Sequence, residues 1–227
     1  MADTTVKNLE AFREQVRSCR ALRHQFFDLL ADESDVERGR SLIREWARSD
    51  YWVSREFPAL VATLAGETQD LDVRIIFVRN LWDEFGHGKL NAAHFALYRK
   101  FLDSIDEPEP TEPSESARAF LKFQKDLAFQ NPALAAGVFC YANEYMCQFE
   151  FAQLTRDVHR IFDGSDTRYF SQLQVDVRHA EELEGALRMF EAADLPGFDK
   201  SLHDALGTVL ELRALHYDRV VEAVLGS

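Results

Sequence analysis

The sequence predicts an all-α fold, a single domain over residues 1–227 built as a bundle of about seven helices. Three observations predict it. Every long segment places apolar residues at helical spacing, and no run alternates with period two for long enough to form a strand. Glycine and proline are scarce, 10 and 6 in 227 residues, which disfavours turn-rich all-β architectures. At 46% hydrophobic, the chain carries enough apolar material for a real core, which excludes disorder for its bulk.

The elements follow in order. A first helix is predicted over Lys7–Leu30, with Phe12, Val16, Cys19, Leu22, Phe26 and Leu30 on one stripe. A second covers Asp35–Ser49, around Leu42, Ile43 and Trp46. Pro58 restricts Phe57 and is expected to start or kink a helix there. A long helix reads from Asp70 to Ser104. Residues 107–116, EPEPTEPSES, form an acidic, proline-rich solvated loop, and Ser114 is placed to cap the helix after it. Asn131 and Pro132 suit the N-cap and first position of an apolar helix running to Phe162. After a DGSD turn come helices over Thr167–Ala193 and Asp199–Leu225, separated by the breaker Leu195-Pro196-Gly197.

Composition narrows the function. The charge is −13, so phosphate backbones and anionic membrane surfaces are repelled; no nucleic-acid or membrane partner is expected. Three cysteines, Cys19, Cys140 and Cys147, make no disulfide framework, and the last two read as small core residues. The first residues, MADTTVKNLEAFREQ, lack the apolar region of a secretory signal, so a reduced, cytoplasmic location is the expectation.

Acidic residues stand where a bundle should be apolar. At about 100° per residue, Glu84 falls on the stripe of Phe77, Leu81, Phe95, Tyr98 and Leu102. Glu144 falls among Gly137, Cys140, Tyr141, Cys147, Phe151 and Phe162, and Asp176 among Tyr169, Leu173, Leu183, Leu187 and Phe190. Histidines accompany two of them: on the same wheel His87 and His94 lie roughly 60° and 80° from Glu84, and His179 follows Asp176 by three. Most of the 39 acidic residues must be solvated, and one acid-x-x-His pair means little alone. Three core-facing acids on three separate helices, two with imidazoles within a turn or so, point instead to a metal centre, because a buried carboxylate needs a partner or an ion. Glu56 is a candidate fourth carboxylate. One carboxylate from each of two helices and an acid-x-x-His pair from each of two others is nearly the di-iron bundle pattern; imidazole with carboxylate suits iron, manganese or zinc. His24, His159 and His203 read as surface or packing residues, and His216 as a partly buried structural histidine.

The run Asn80-Leu-Trp-Asp-Glu84-Phe-Gly86-His-Gly88, followed by Asn91-Ala-Ala-His94, resembles the haem-oxygenase-like di-iron oxidases. Gly137-Val-Phe-Cys-Tyr-Ala-Asn-Glu144 matches their next element, a glutamate in an aromatic, glycine-containing helix, and Asp176-Val-Arg-His179-Ala matches their Asp-x-x-His helix. The resemblance spans residues 50 to 190. It implies a haem-oxygenase-like fold, two Fe(II) per chain, dioxygen as co-substrate and a small-molecule substrate that is amino-acid-like or amine-bearing. It assigns Glu84 and Glu144 as bridging or terminal carboxylates, His94 and His179 as anchors of one iron each, and Asp176 with Glu56 as completing the second site. Glu84, Glu144 and Asp176 are the catalytic carboxylates under this reading. The family spacing favours His94 as ligand, whereas the bundle pattern favours His87. Gln172 stands where many members carry histidine, which leaves one iron weakly held or its pocket reshaped for substrate. Arg178 is a candidate partner for a substrate carboxylate, although a solvated surface arginine is the simpler reading. N-oxygenation or oxidative rearrangement is the expected chemistry, with oxidative C–C cleavage as the alternative. A metal-free thiaminase-like enzyme and a non-catalytic binding protein are the readings of another class. A homodimer is common among relatives.

Overall fold

The computed structural model describes the backbone of residues 5–192 and 197–226, and the side chains within these ranges apart from 5–8, 172–176, 186 and 188–192. Among the described residues the regular structure is helical throughout. In chain order the helices are α1 (Thr5–Arg17), α2 (Gln25–Ala31), α3 (Val36–Glu67), α4 (Leu71–Glu84), α5 (His94–Ser104), α6 (Glu115–Gln130), α7 (Pro132–Phe139), α8 (Met146–Ile161), α9 (Leu173–Ala192) and α10 (Phe198–Leu225). The long helix α3 packs against α4, α6 and α10, and α10 closes the bundle over α6 and α7. One continuous apolar core joins the helices around Trp46, Tyr98, Phe101, Tyr141 and Tyr217. No described helix is long and apolar enough to cross a membrane.

The caps read from the sequence are where it places them. Ser114 Oγ accepts from the Ala117 amide at 3.1 Å, and Asn131 Oδ1 from the Leu134 amide at 3.2 Å, with Pro132 in the first helical position. The prediction joined some helices and cut others. The first helix divides at residues 18–24, because His24 turns its ring inward to cap α2 and to reach Asp218 of α10. Pro58 breaks nothing: α3 runs through it for 32 residues, carried by packing on both sides. Proline removes only its own N–H, so the Ser54 carbonyl is the group that loses a helical donor.

The break that matters functionally lies inside the predicted Asp70–Ser104 helix. It ends at Glu84, passes through two short 3₁₀ turns (Gly86–Gly88 and Leu90–Ala92) and restarts at His94. Gly86, His87 and Gly88 all take positive φ, at 59°, 57° and 79°. A Cβ on Gly86 would sit 2.4 Å from the Ala92 carbonyl carbon, so glycine is required by close backbone approach as well as by dihedral angle. A second irregularity falls at Cys140–Tyr145, a π-helical turn between α7 and α8 that carries Glu144. Single π turns of this kind recur at functional sites, since the extra residue re-aims the side chains around it.

Candidate metal centre and its cavity

Helix α4 turns Val73, Phe77, Asn80 and Glu84 toward the core, each about one turn after the last. Glu84 is thereby buried at the end of the helix. The glycine-rich reversal then brings His94, first residue of α5, back onto it: His94 Nδ1 lies 2.9 and 3.0 Å from the two Glu84 oxygens. The His94 ring also packs against Tyr169, with centroids 5.6 Å apart. The proximity of Glu84 and His94 is therefore a product of a chain reversal, and the angular count along one continuous helix does not describe it.

Glu144 is reached from two sides. Asn80 Nδ2 donates to Glu144 Oε1 at 2.7 Å, and His179 Nδ1 of α9 stands 3.4 Å from Glu144 Oε2. The other nitrogen of His179 meets Asp83 Oδ2 at 2.8 Å. Burial by itself lowers the pKa of this histidine, but the carboxylates of Glu144 and Asp83 outweigh it and hold the imidazole up to about 9. Glu84, Glu144 and His179 are each less than 5% exposed. Thus α4, α5, the π turn and α9 converge on two carboxylate–imidazole pairs, with Asn80 of α4 donating to Glu144.

Three expected participants do not join this group. Glu56 lies half-buried on the outer side of α3, where its Oε2 takes the Lys125 ammonium at 2.8 Å; α3 turns Asp50, Val53, Ser54 and Phe57 to the interior in its place. His87 is thrown outward by its left-handed backbone, its side chain 65% exposed and its Nε2 3.1 Å from Asp83 Oδ1. Arg178 is also on the surface, donating to the same Asp83 at 2.5 Å. Asp176 and Gln172 have side chains outside the described residues.

Glu84, His94 and Glu144 line a partly open cavity of about 60 Å³. That is several times the roughly 10–15 Å³ one water requires. Ser54, Phe57, Phe151 and Tyr169 form part of its wall, and Asp50, Glu150 and Arg213 form another part. None of these last three was singled out in the sequence. Arg213 is buried between the two acids, with Nη1 on Asp50 Oδ1 and both Nε and Nη2 on Glu150 Oε1. His216 adjoins them, its Nδ1 3.0 Å from Ser116 Oγ and its Nε2 3.7 Å from Asp50 Oδ1.

Burial, with the Arg213 charge beside it, depresses the His216 pKa from 6.5 to about 4, Asp50 opposing only in part. The unfolded chain therefore takes up a proton that the folded chain refuses. Stability is intact above about pH 6.5 and falls as the pH drops toward 4, by about 3 kcal/mol in all from this group. Urea midpoints followed from neutral pH to about pH 4 should decline over this window, and His216→Asn should flatten that part of the curve.

Among the described residues, no three histidine, cysteine or carboxylate groups are drawn together tightly enough to hold an ion as they stand. The donor set nonetheless suits iron. Two buried carboxylates each face an imidazole nitrogen, and these are the same atoms that would turn onto a cation. Asp83 behind His179 supplies the carboxylate that fixes the ring orientation of a ligating histidine.

Comparison with known proteins agrees with this picture. A family model described as iron-containing redox enzyme matches residues 44–214. The 4-aminobenzoate synthase of Chlamydia muridarum is 27% identical over 188 residues, covering 76% of this chain and 74% of that protein. Its counterpart in Chlamydia trachomatis is 27% identical over 184 residues, covering 74% of each. Among solved structures, a CADD-like protein of unknown function from Nostoc punctiforme superposes with a TM-score of 0.76 at 13% identity, covering 97% of this chain and 98% of that one. A TenA homologue from Pseudomonas syringae gives 0.71 at 14% identity, with 96% and 93% covered. A domain with a heme oxygenase-like fold from Shewanella denitrificans gives 0.67 at 16% identity, with 98% and 94% covered. At these identities the structural likeness speaks to the fold.

Proposed function

The chain belongs to the iron-containing redox enzyme family, whose model spans residues 44–214, and from that premise we propose that it uses dioxygen to oxidise a small amine-bearing metabolite. The observation that carries this reading is the pair of buried carboxylate–imidazole contacts, Glu84 with His94 and Glu144 with His179, beside a cavity that all but His179 line. Under the proposal these four residues, with Asp176 of α9, hold two Fe(II) per chain. Iron bound there supplies the electrons and the open coordination positions that dioxygen chemistry requires.

The protein's own contributions can be stated residue by residue. Asp83 holds Nε2 of His179, which leaves Nδ1 directed at Glu144. Asn80 fixes Glu144 Oε1 and so sets the plane of that carboxylate. Phe57, Phe151 and Tyr169 line the cavity and bound the size of what can enter. An amine-bearing substrate is supported by the name of the two Chlamydia relatives, whose product carries an amino group.

An extra carboxylate ligand at Glu56 would stabilise oxidised iron and favour attack by a nucleophilic nitrogen. That residue is instead paired with Lys125, so oxidation at carbon, including C–C cleavage, stands level with N-oxygenation. The metal-free reading has a fold neighbour in the TenA homologue, but at 14% identity the likeness does not extend to chemistry.

Anaerobic titration with Fe(II), followed by Mössbauer spectroscopy and oxygen-electrode assays against a panel of small amines, tests the proposal. The expected result is close to two ferrous ions per chain and oxygen uptake that requires them. Turnover that persists in protein carrying no iron would overturn it.

A further inference from the structure

We propose that Asp50 and Glu150, braced by Arg213 in the wall of the cavity, form a binding subsite for the ammonium group of the substrate. The inference rests on the amine-bearing substrate proposed above and assigns it a place. Both acids are at least 97% buried, and both line the cavity that Glu84 and Glu144 line.

The hydrogen bonds of Glu150 are lopsided. Its Oε1 receives Nε and Nη2 of Arg213 and the Tyr217 hydroxyl, while its Oε2 has no hydrogen-bond partner among the described residues. A bare carboxylate oxygen in a buried position calls for a donor. The charge is lopsided too. Two carboxylates share one guanidinium, and His216, beside Asp50, is kept neutral by burial, so this wall lacks one positive charge.

An alkylammonium supplies both missing things: N–H donors for Oε2 and a single positive charge. A carboxylate ligand would be attracted by Arg213 but repelled by the two acids already engaged with it. A neutral hydroxyl or a water would satisfy Oε2 and leave the charge uncompensated. The aromatic faces of Phe120, Phe151 and Tyr169 line the same space and suit a short hydrocarbon carrying a cation.

Position adds a consequence for the chemistry. Glu150 lies six residues beyond Glu144 on the same helical run, roughly 9 Å along its axis. A substrate whose nitrogen sits on Glu150 Oε2 presents carbon to the Glu84 and Glu144 end. The amine should therefore leave the reaction unoxidised.

The test uses iron-loaded protein kept anaerobic and three probes of equal size, n-propylamine, n-propanol and propionate, titrated by calorimetry. We expect the amine, protonated at neutral pH, to bind at least tenfold more tightly than the alcohol, and propionate not to bind. Glu150→Gln keeps the shape and an acceptor for Arg213, and it should abolish that tenfold preference; Asp50→Asn should weaken it. Equal binding of amine and alcohol by the unmodified protein, tighter binding of propionate, or a preference that survives both substitutions would overturn the subsite. Iron content and oxygen uptake are read on the same preparation. An amine preference that persists where iron does not bind would defeat the functional reading and leave the subsite standing.

Discussion

Glu144→Gln should lower iron-dependent oxygen consumption by more than about 100-fold and remove at least one ferrous ion per chain, while leaving the fold intact. The substitution is nearly isosteric. The amide oxygen can still accept from Asn80, so the π turn keeps its contact with α4. What disappears is the negative charge facing His179, and with it a carboxylate that would hold the proposed iron. Asp83→Asn provides the scale for comparison. Asp83 touches only the far nitrogen of His179 and the surface groups His87 and Arg178, so it acts through the histidine. Partners of that kind typically change metal affinity or activity 10–100-fold. Iron titration and oxygen-electrode rates on the two variants should therefore separate, with Glu144→Gln well below Asp83→Asn. Equal losses would mean that Glu144 also acts only through His179.

The ranking follows from what the sequence could and could not disclose. Glu84, Glu144 and His179 were legible because each interrupts an apolar stripe, and burial of a charge is informative whatever the local geometry. His94 was favoured over His87 by the family spacing, and the helical count does not explain why it meets Glu84. Its angle to Glu84 was counted along one unbroken helix, whereas the contact arises from a reversal at Gly86–Gly88, whose paired glycines were the available signal. The same reversal turns His87 out to solvent, which residue spacing alone had no means of telling. Glu56 is the candidate for an extra carboxylate ahead of the Glu84 motif, yet it faces outward, and Asp50 is the acid that α3 turns inward.

The second polar group was missed altogether, and the reason is physical. Asp50, Glu150 and Arg213 come from three helices far apart in the chain, and each is a single charge among 39 acids and 26 bases. Each does sit on an apolar stripe: Asp50 between Trp46 and Phe57, Glu150 between Met146 and Leu154, Arg213 between Leu210 and Tyr217. Asp50 and Glu150 have no histidine within a turn, and nothing in their spacing pairs them with Arg213. An arginine flanked by core residues on both neighbouring turns has to be buried with counter-ions, and that was the available signal.

Replacing that arginine gives the largest stability effect expected in this chain. Arg213 is 5% exposed and holds Asp50 and Glu150 on opposite edges of its guanidinium, with Phe120 and Tyr217 packed near its face. Methionine in its place fills much of the volume but strands two carboxylates in the core. Breaking a buried ion pair by removing one partner costs about 3–5 kcal/mol, because the remaining charge loses its counter-ion and gains no water. For a chain of this length that corresponds to a fall in Tm of roughly 10 °C or more. Urea denaturation of iron-free protein at neutral pH should show it directly. The triple variant Asp50→Val, Glu150→Met, Arg213→Met removes all three charges together. It should recover most of the loss, since replacing a whole buried triad by apolar residues of similar volume is often neutral in stability. If the single variant loses less than about 1 kcal/mol, water reaches Asp50 and Glu150 through the cavity and solvates the charges that Arg213 leaves behind. If the triple variant is as unstable as the single, the cost belongs to lost packing around Phe120 and Tyr217 and the stranded charge is not its source.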